Sequence, residues 1–338
     1  MGWMIALIAA ALLAAPLPTE TPQPDNSGRL ADRQFDVTTP QGSGIARYFA
    51  NGSLDGDAQI KRAVIVVHGV LRDADYYFDT GMRSAGLALA AGDTLVIAPQ
   101  FVEASDLAGH NIPMKTLRWD SKWPGGSPAT APAPISTYAV FDAMIARLAD
   151  RSRFPLLRGI VLVGHSAGGQ IVQRYAVVGK APQLDPGSAT PVHLIVANPS
   201  SYFYFDDTRP VPQANCSDFN QWRYGLAGAP PYVAGTDRVL EERYVKRHVT
   251  YLLGTADINP NEDDLDRSCG GEAQGPYRFA RGKFYIAYIE RRHPSGTAQD
   301  YAFVAGVPHD NRRMFDSACG IGVIFGKTKQ SCGAHGKV

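Results

Sequence analysis

The sequence Gly-His-Ser-Ala-Gly-Gly at residues 164–169 limits the folds that this chain can adopt. It follows an apolar, β-branched run at 159–163, typical of a buried strand, and precedes a segment at 170–178 typical of a helix that ends at Gly179. This order predicts a very tight turn that lifts Ser166 above a sheet at a helix N-terminus. Glycines are needed because side chains flanking the serine would collide in such a turn. We therefore predict that Ser166 is a nucleophile; the alternative is a glycine-rich turn with a solvated serine.

A nucleophilic serine needs hydrogen-bond donors for the oxyanion that forms when it attacks a carbonyl group. Residues 63–67 are a continuous apolar run, as expected of a parallel strand covered on both faces, and they lead into His68, Gly69 and Val70. The loop after such a strand and the residue after the nucleophile usually supply the two donors. We therefore predict an oxyanion hole made by the backbone N–H groups of Val70 and Ala167. His68 is expected to be a partly buried structural histidine.

An acid that orients the catalytic base should follow a later strand. The apolar run at 248–253 predicts such a strand, and Asp257 is the first carboxylate after it. The preceding strand, at 192–197, has no carboxylate after it before Asp206, which strengthens the prediction of Asp257. A denser acidic group follows and is expected to be solvated or to stabilise its loop: Glu262, Asp263, Asp264 and Asp266. A calcium site there is an alternative, although the spacing does not match an EF-hand loop.

The base is expected after the last strand. Residues 301–304 predict that strand, and His309 lies in the loop that follows it, before a predicted helix. Of the other seven histidines, only His293 is an alternative candidate for the base. His110 precedes the serine in the chain, His193 and His248 begin strands, and His335 lies in the C-terminal tail. The predicted order along the chain is therefore Ser166, Asp257 and His309.

The whole chain of 338 residues fits one catalytic domain, because the predicted site draws on residues from about 69 to 309. Strands alternate with predicted helices, among them one at about 80–91 and one that begins near Ser136, so we expect an α/β fold with a mostly parallel sheet and helices on both faces. The formal charge is +1 and acidic and basic residues are interspersed, so the sequence shows no basic cluster of the kind that binds nucleic acid. No metal or organic cofactor is implied.

The first 15 residues are apolar and too short to span a bilayer comfortably. They are typical of a secretory signal peptide, and an uncleaved anchor is the alternative. The proline-rich segment at 16–30 is then a flexible linker, and 31–338 form the catalytic domain. We expect a secreted or periplasmic protein without stable membrane association once the signal is removed.

Four cysteines agree with export, because an even number in an exported chain suggests two disulfides. Three pairings are open, and we favour Cys319 with Cys332, which closes a short loop, and Cys216 with Cys269. Four free thiols in a cytosolic enzyme are the alternative.

Two insertions are expected to border the cleft. One is the loop at 101–134, and the other is a cap-like insertion at about 199–245 that is rich in aromatic residues. Aromatic side chains on loops at the carboxyl ends of strands often line a ligand pocket, although they also form the small core of a cap. The predicted substrate-binding residues are Trp119, Trp123, Tyr202 and Trp222.

Taken together, the motifs at residues 68–77, 164–169, 254–257 and 307–310 resemble those of the α/β-hydrolase superfamily. Within it, the chain resembles secreted esterases related to polyhydroxybutyrate depolymerases and feruloyl esterases. The resemblance implies the α/β-hydrolase fold, a Ser166–His309–Asp257 triad in the superfamily's chain order, and oxyanion donors at Val70 and Ala167.

These observations predict a secreted serine hydrolase that cleaves small-molecule or oligomeric carboxylic esters through an acyl-enzyme. An amidase or peptidase, or a depolymerase acting on a polyester or polyamide, would use the same triad. A binding protein on a hydrolase frame is a further alternative, which the presence of both Ser166 and His309 disfavours.

Overall fold

Nine strands form one mixed sheet in the spatial order β1-β2-β4-β3-β5-β6-β7-β8-β9. The computed structural model describes residues 29–212, 216–217, 219–326 and 331–338. The strands are β1 (Arg33–Thr39), β2 (Gly42–Ala50), β3 (Arg62–Val67), β4 (Thr94–Gln100), β5 (Ile160–His165), β6 (Val192–Ala197), β7 (Val249–Gly254), β8 (Asp300–Val304) and β9 (Ala334–Lys337). The six strands from β4 to β8 in this order run parallel, and β1, β2 and β9 are antiparallel to their neighbours.

Helices connect most of the parallel strands. Over the described residues they are α1 (Ala74–Leu87), α2 (Thr137–Ala149), α3 (Ala167–Val178), α4 (Asp237–Tyr244), α5 (Cys269–Glu272), α6 (Arg278–Arg292), α7 (Asn311–Asp316) and α8 (Ala318–Ile324). Helix α2 begins where the sequence predicts, because the Ser136 hydroxyl accepts a hydrogen bond from the Tyr138 N–H and caps the first turn.

The helices cover both faces of the sheet. Along β3, Ala63, Ile65 and Val67 belong to one hydrophobic core, with α2, α3, α4 and α6, while Val64 and Val66 belong to a second core, with α1, α7 and α8. Successive side chains of a strand point to opposite faces, so a strand buried on both sides has a continuous apolar sequence. The predicted α/β-hydrolase architecture, a mostly parallel sheet between two layers of helices, is confirmed.

The helix predicted at 80–91 lies earlier, at Ala74–Leu87. Its first turns carry the aromatic residues 76–78, and Tyr77 is buried against the sheet. The helix cannot continue to residue 91 because Leu89 has a positive φ of 53°. The buried Tyr77 therefore belongs to the first turns of the helix, and the backbone at Leu89 ends the helix before Gly92.

Both favoured disulfides are present, Cys216–Cys269 and Cys319–Cys332. The first joins the segment between β6 and α4 to α5, which follows the acidic loop. The second links α8 to the chain just before β9, the last strand of the sheet. Disulfides of this kind persist in oxidising compartments.

The predicted signal peptide at 1–15 and most of the predicted linker at 16–30 lie outside the described residues. Arg29 is described, and its N–H donates a hydrogen bond to Asp75 while its guanidinium lies 5.6 Å from the centre of the Phe49 ring. Arg29 therefore contacts the domain, although its side chain is 70% exposed. Within the described part of the chain, no helix combines the length and the apolar character that crossing a bilayer would require.

Close backbone packing around the serine turn makes a stability prediction. A Cβ at Gly168 would lie 2.3 Å from the Val67 carbonyl oxygen, and backbone cannot move aside as a flexible side chain can. Gly168→Ala is therefore expected to lower the free energy of unfolding by about 2–3 kcal/mol, measured by urea denaturation.

The matched control is Gly86→Ala, because Gly86 is exposed in α1 and its added Cβ would meet no atom within 4 Å. This control should leave stability unchanged or raise it by about 0.5–1 kcal/mol. Equal stability of the two variants would contradict the close packing described here.

Candidate active site

Ser166 occupies a strained position between β5 and α3. Its φ of 58° and ψ of −123° lie outside the usual regions for a residue with a side chain, and its N–H donates to the Ala197 carbonyl. Glycine is needed beside it, since a Cβ at Gly164 would lie 2.1 Å from the Gly168 carbonyl oxygen. The turn holds Ser166 at the N-terminal end of α3, where the helix dipole favours a developing negative charge.

Two other predicted residues meet at the same edge of the sheet. Asp257 follows β7 and His309 follows β8, and the Nδ1 of His309 lies 2.7 Å from the Asp257 Oδ2. An ionised carboxylate only accepts hydrogen bonds, so Nδ1 carries the proton and Nε2 is left to act as a base. The His309 ring centre is 4.4 Å from that of His165, the residue that precedes the serine.

The pKa of His309 is raised above its ordinary value of 6.5. Burial acts to lower this pKa, but the hydrogen bond to Asp257 and the nearby Asp264 carboxylate outweigh burial. The adjacent His165 has a pKa well below its ordinary value, because it is buried and lies beside His309 and Arg278. The pair therefore consists of one basic imidazole and one neutral imidazole.

The predicted oxyanion loop lies against the serine. A Cβ built on Gly69 would be 3.8 Å from the Ser166 Cβ, and Ala167 is the first residue of α3. Val70, in contrast, has 42% of its surface exposed, at the rim of the site. The structure thus brings Gly69, the neighbour of the predicted donor Val70, next to the serine, while the predicted donor Ala167 directly follows the serine in the chain.

Arg72 fixes the shape of this loop. Its guanidinium donates two hydrogen bonds to Asp106, at 2.6 and 2.9 Å, and a weaker one to the Val70 carbonyl at 3.3 Å. Arg72 also has a positive φ of 61°, so the loop turns back sharply just after Val70. The two hydrogen bonds between the Arg72 guanidinium and the Asp106 carboxylate therefore hold a strained turn in place.

His68 is buried below the loop. Its Nε2 accepts a hydrogen bond from the Phe101 N–H, so its Nδ1 donates to the Gly69 carbonyl at 2.8 Å. Burial lowers the pKa of His68 to about 4, which keeps the ring neutral. His68 is therefore a structural residue, as predicted, although it is fully rather than partly buried.

Arg278 is a residue of this site that the sequence did not indicate. Its side chain is fully buried, with Nη1 2.6 Å from Glu262 and Nη2 2.5 Å from Asp264. Nη1 also lies 3.7 Å from the second oxygen of Asp257. One available signal was its position in the first turn of α6, where the helix dipole disfavours a cation that has no acidic partners.

The acidic loop is thus organised around a guanidinium. Within the described ranges, no three histidine, cysteine or acidic side chains are grouped as metal ligands. The carboxylates of Glu262 and Asp264 are directed at Arg278, which fits the predicted role of stabilising the loop and does not fit the calcium alternative.

The structure corrects three of the four predicted substrate-binding residues. Trp119, Trp123 and Tyr202 are at most 3% exposed, and therefore have no surface to offer a ligand. Trp123 packs against His68 with ring centres 4.6 Å apart, and Tyr202 stacks on Tyr285. Aromatic residues of an insertion bury most of their apolar surface when they pack against each other and against the sheet.

Trp222 is the fourth residue, and it is half-buried. Its indole N–H donates to the Gly125 carbonyl at 2.6 Å, so it joins the two predicted insertions. Its ring also contacts Phe203, with centres 5.7 Å apart. Trp222 therefore remains the one of the four that has surface available for a ligand.

Comparisons with known proteins agree with this architecture. Two solved structures resemble the chain over most of its length, each at 22% identity, and they support the fold. A poly(aspartic acid) hydrolase from Sphingomonas sp. KT-1 gives a TM-score of 0.58 and covers 84% of this chain and 95% of its own. The poly(3-hydroxybutyrate) depolymerase LpqC from Bordetella parapertussis gives a TM-score of 0.59, covering 88% of this chain and 90% of its own.

No protein with a curated description matches the sequence. The sequence model of the Alpha/beta hydrolase family matches residues 64–309, a span that begins in β3 and ends at His309. This span is well over half of the chain and contains all the segments that converge on Ser166. The chain therefore belongs to the alpha/beta hydrolase family.

Proposed function

We propose that this protein is a serine hydrolase that cleaves carboxylic esters, with Ser166 as nucleophile, His309 as base and Asp257 as orienting acid. The observation that carries the proposal is the 2.7 Å contact between His309 Nδ1 and Asp257. It orients a basic imidazole at the edge of the sheet where a strained turn presents Ser166. Membership of the hydrolase family supports the assignment.

The reaction follows from these groups. His309 Nε2 takes the proton of Ser166 as its Oγ attacks the ester carbonyl, and Asp257 stabilises the imidazolium that forms. The backbone N–H groups of Val70 and Ala167 donate to the oxyanion. His309 then protonates the departing alcohol, which leaves an acyl-enzyme. Water, activated in turn by His309, attacks the acyl-enzyme, releases the acid and restores Ser166.

The rim of the site favours substrates with apolar parts. Val70 and Leu71 are each 42% exposed on the oxyanion loop, and Ile258, directly after Asp257, is 51% exposed. These side chains give exposed apolar surface on the oxyanion loop and on the loop that carries Asp257, which suits an alkyl or aryl acyl chain. The same rim suits a polyester segment, and one structural neighbour is described as a poly(3-hydroxybutyrate) depolymerase.

We also propose that the protein is exported and works outside the cytoplasm, either secreted or in a periplasm. The two disulfides support this location, since cytosolic proteins rarely hold structural disulfides. One disulfide is anchored at α5, which follows the acidic loop, and the other at α8.

Active-site labelling gives the first test. A fluorophosphonate probe should label the wild-type protein, and Ser166→Ala should lose both the label and the hydrolysis of p-nitrophenyl esters, because the probe needs an activated serine. Asn51→Ala is the control that should keep both, because Asn51 is exposed and its side chain bonds the amino end of β4, whereas the site lies at the carboxyl ends of the parallel strands.

The same acyl group presented as a p-nitrophenyl ester and as an anilide separates ester from amide cleavage. Turnover of the ester alone fits the proposal, and faster turnover of the anilide would move the assignment to an amidase. Absence of label on folded wild-type protein would refute a serine hydrolase.

The pH dependence gives a second test. Because the pKa of His309 is raised above 6.5, the imidazole is protonated and inactive at low pH. The value of kcat/KM should therefore rise with pH, with a half-maximal point above pH 6.5. Asp257→Asn should lower kcat/KM by about 10³–10⁴-fold, since an amide neither orients the imidazole correctly nor stabilises the imidazolium.

Asp263→Asn is the matched control, because Asp263 is an exposed carboxylate in the neighbouring loop. It should keep kcat/KM within about twofold. A half-maximal point below pH 6.5 in the wild type, or equal effects of the two substitutions, would contradict the assigned roles.

A further inference from the structure

The His309 imidazole has a second carboxylate beside it. Asp257 contacts Nδ1, and the Asp264 Oδ2 lies 3.6 Å from Nε2, on the other side of the ring. At this distance Asp264 does not form a hydrogen bond with Nε2, but it is close enough for a strong charge interaction. Of these two carboxylates, only Asp257 belongs to the mechanism described above.

Arg278 holds Asp264 in this position. The guanidinium is fully buried and lies 2.5 Å from the Asp264 Oδ1. Its Nε donates to the Ser200 hydroxyl at 3.1 Å, which anchors it to the loop after β6. Although about a third of the Asp264 side chain is exposed (34%), the carboxylate is therefore fixed from below.

Nε2 is the atom that transfers a proton to the leaving group. A proton acceptor must lie about 3 Å from Nε2, which brings the atoms of the departing alcohol within a few ångströms of Asp264. The Asp264 carboxylate, 3.6 Å from Nε2, thus lies beside the space through which that alcohol leaves.

We propose, on the basis of the proposed serine hydrolase function, that Asp264 is a positioning and specificity-determining residue that stabilises the His309 imidazolium and selects esters with cationic alcohol groups over neutral ones. The local charges agree with this role. Asp257, Glu262 and Asp264 surround one cation, Arg278, so the cluster is negative while His309 is neutral. His165, the other titratable group against the His309 ring, stays neutral and does not offset this charge.

Asp264 keeps its charge over the useful pH range. Burial acts to raise the pKa of its carboxyl group, but the neighbouring His309 and Arg278 more than offset burial and hold this pKa well below its ordinary range. Its contribution to the site is therefore constant while His309 titrates.

The first test compares pH profiles of kcat/KM for a neutral ester. Asp264→Asn removes a negative charge beside Nε2, so the pKa of His309 falls and the half-maximal point should move down by about 0.5–1 pH unit, a range that allows for the partial exposure of Asp264. Glu262→Gln is the matched control, because Glu262 pairs with the same Arg278 at 2.6 Å. It should leave the half-maximal point unchanged.

A shared structural role predicts a different result, in which both substitutions shift the profile alike through Arg278. Equal shifts, or no shift with Asp264→Asn, would overturn the proposal.

The second test uses two esters of the same acid that differ only in charge, a choline ester and its neutral isostere, the 3,3-dimethylbutyl ester. Wild-type protein should show a higher kcat/KM for the choline ester, and Asp264→Asn should reduce the ratio by about three- to fivefold. Should this variant not fold, the wild-type ratio provides the measurement, because a Coulombic preference must decrease as salt increases.

The outcomes separate the two proposals. If Ser166→Ala and wild-type protein are equally inactive on both esters, the serine hydrolase assignment fails. If the wild type hydrolyses both with Ser166 dependence but shows no salt-sensitive preference for the cation, only the role of Asp264 fails.

Discussion

The site depends on how closely the start of α3 packs against the ends of three parallel strands. A Cβ at Gly168 would collide with the Val67 carbonyl of β3, and one at Gly169 would lie 2.5 Å from the Ala197 carbonyl of β6. Only a chain without side chains at these positions can bring a helix N-terminus so near to the sheet. The strained backbone of Ser166 follows from this contact, and the flanking strands over-determine it. Both Ser166, the proposed nucleophile, and the Ala167 N–H are thus located by backbone packing, before any side chain contributes.

The opposite side of the site depends on an electrostatic constraint. A fully buried guanidinium is costly unless carboxylates compensate for its lost hydration, and Arg278 has Glu262 and Asp264 as close partners. This requirement draws the acidic loop inward over the Asp257–His309 pair. The loop after β7 is therefore shaped by a residue that begins α6, and the Cys216–Cys269 disulfide ties the adjoining α5 to the segment after β6.

Much of this arrangement can be predicted from the sequence, because continuous apolar runs show where the strands end. Ser166, Asp257 and His309 each follow a continuous apolar run, and parallel strands place their carboxyl ends at one edge. The start of α1 is harder to predict, because the Asp73 side chain at the N-cap makes no capping hydrogen bond and the first turns are held by the burial of Tyr77. Trp119 and Trp123 were misjudged for a related reason, because composition cannot distinguish aromatic residues that line a pocket from those that pack on His68 and the sheet.

Arg278 and Asp264 escape prediction for a different reason. Their importance lies in a pairing across fourteen residues and in their distance to His309, and neither is a periodicity or a motif. An arginine in an amphipathic helix and one acidic residue among four have unremarkable sequences. Their effect depends on distances in the folded structure, because the low dielectric of a partly buried site strengthens the interaction between charges.

The two carboxylates beside His309 affect which leaving groups the site can protonate. An imidazole between two carboxylates is a stronger base, so it takes the serine proton more readily, but its imidazolium is a weaker acid. An alcohol departs from a tetrahedral intermediate with little protonation, whereas an amine departs only once its nitrogen has been protonated. A base with a raised pKa therefore favours the formation of an acyl-enzyme from an ester more than from an amide. The same two carboxylates that raise the pKa of His309 therefore agree with the ester cleavage that we propose for this site.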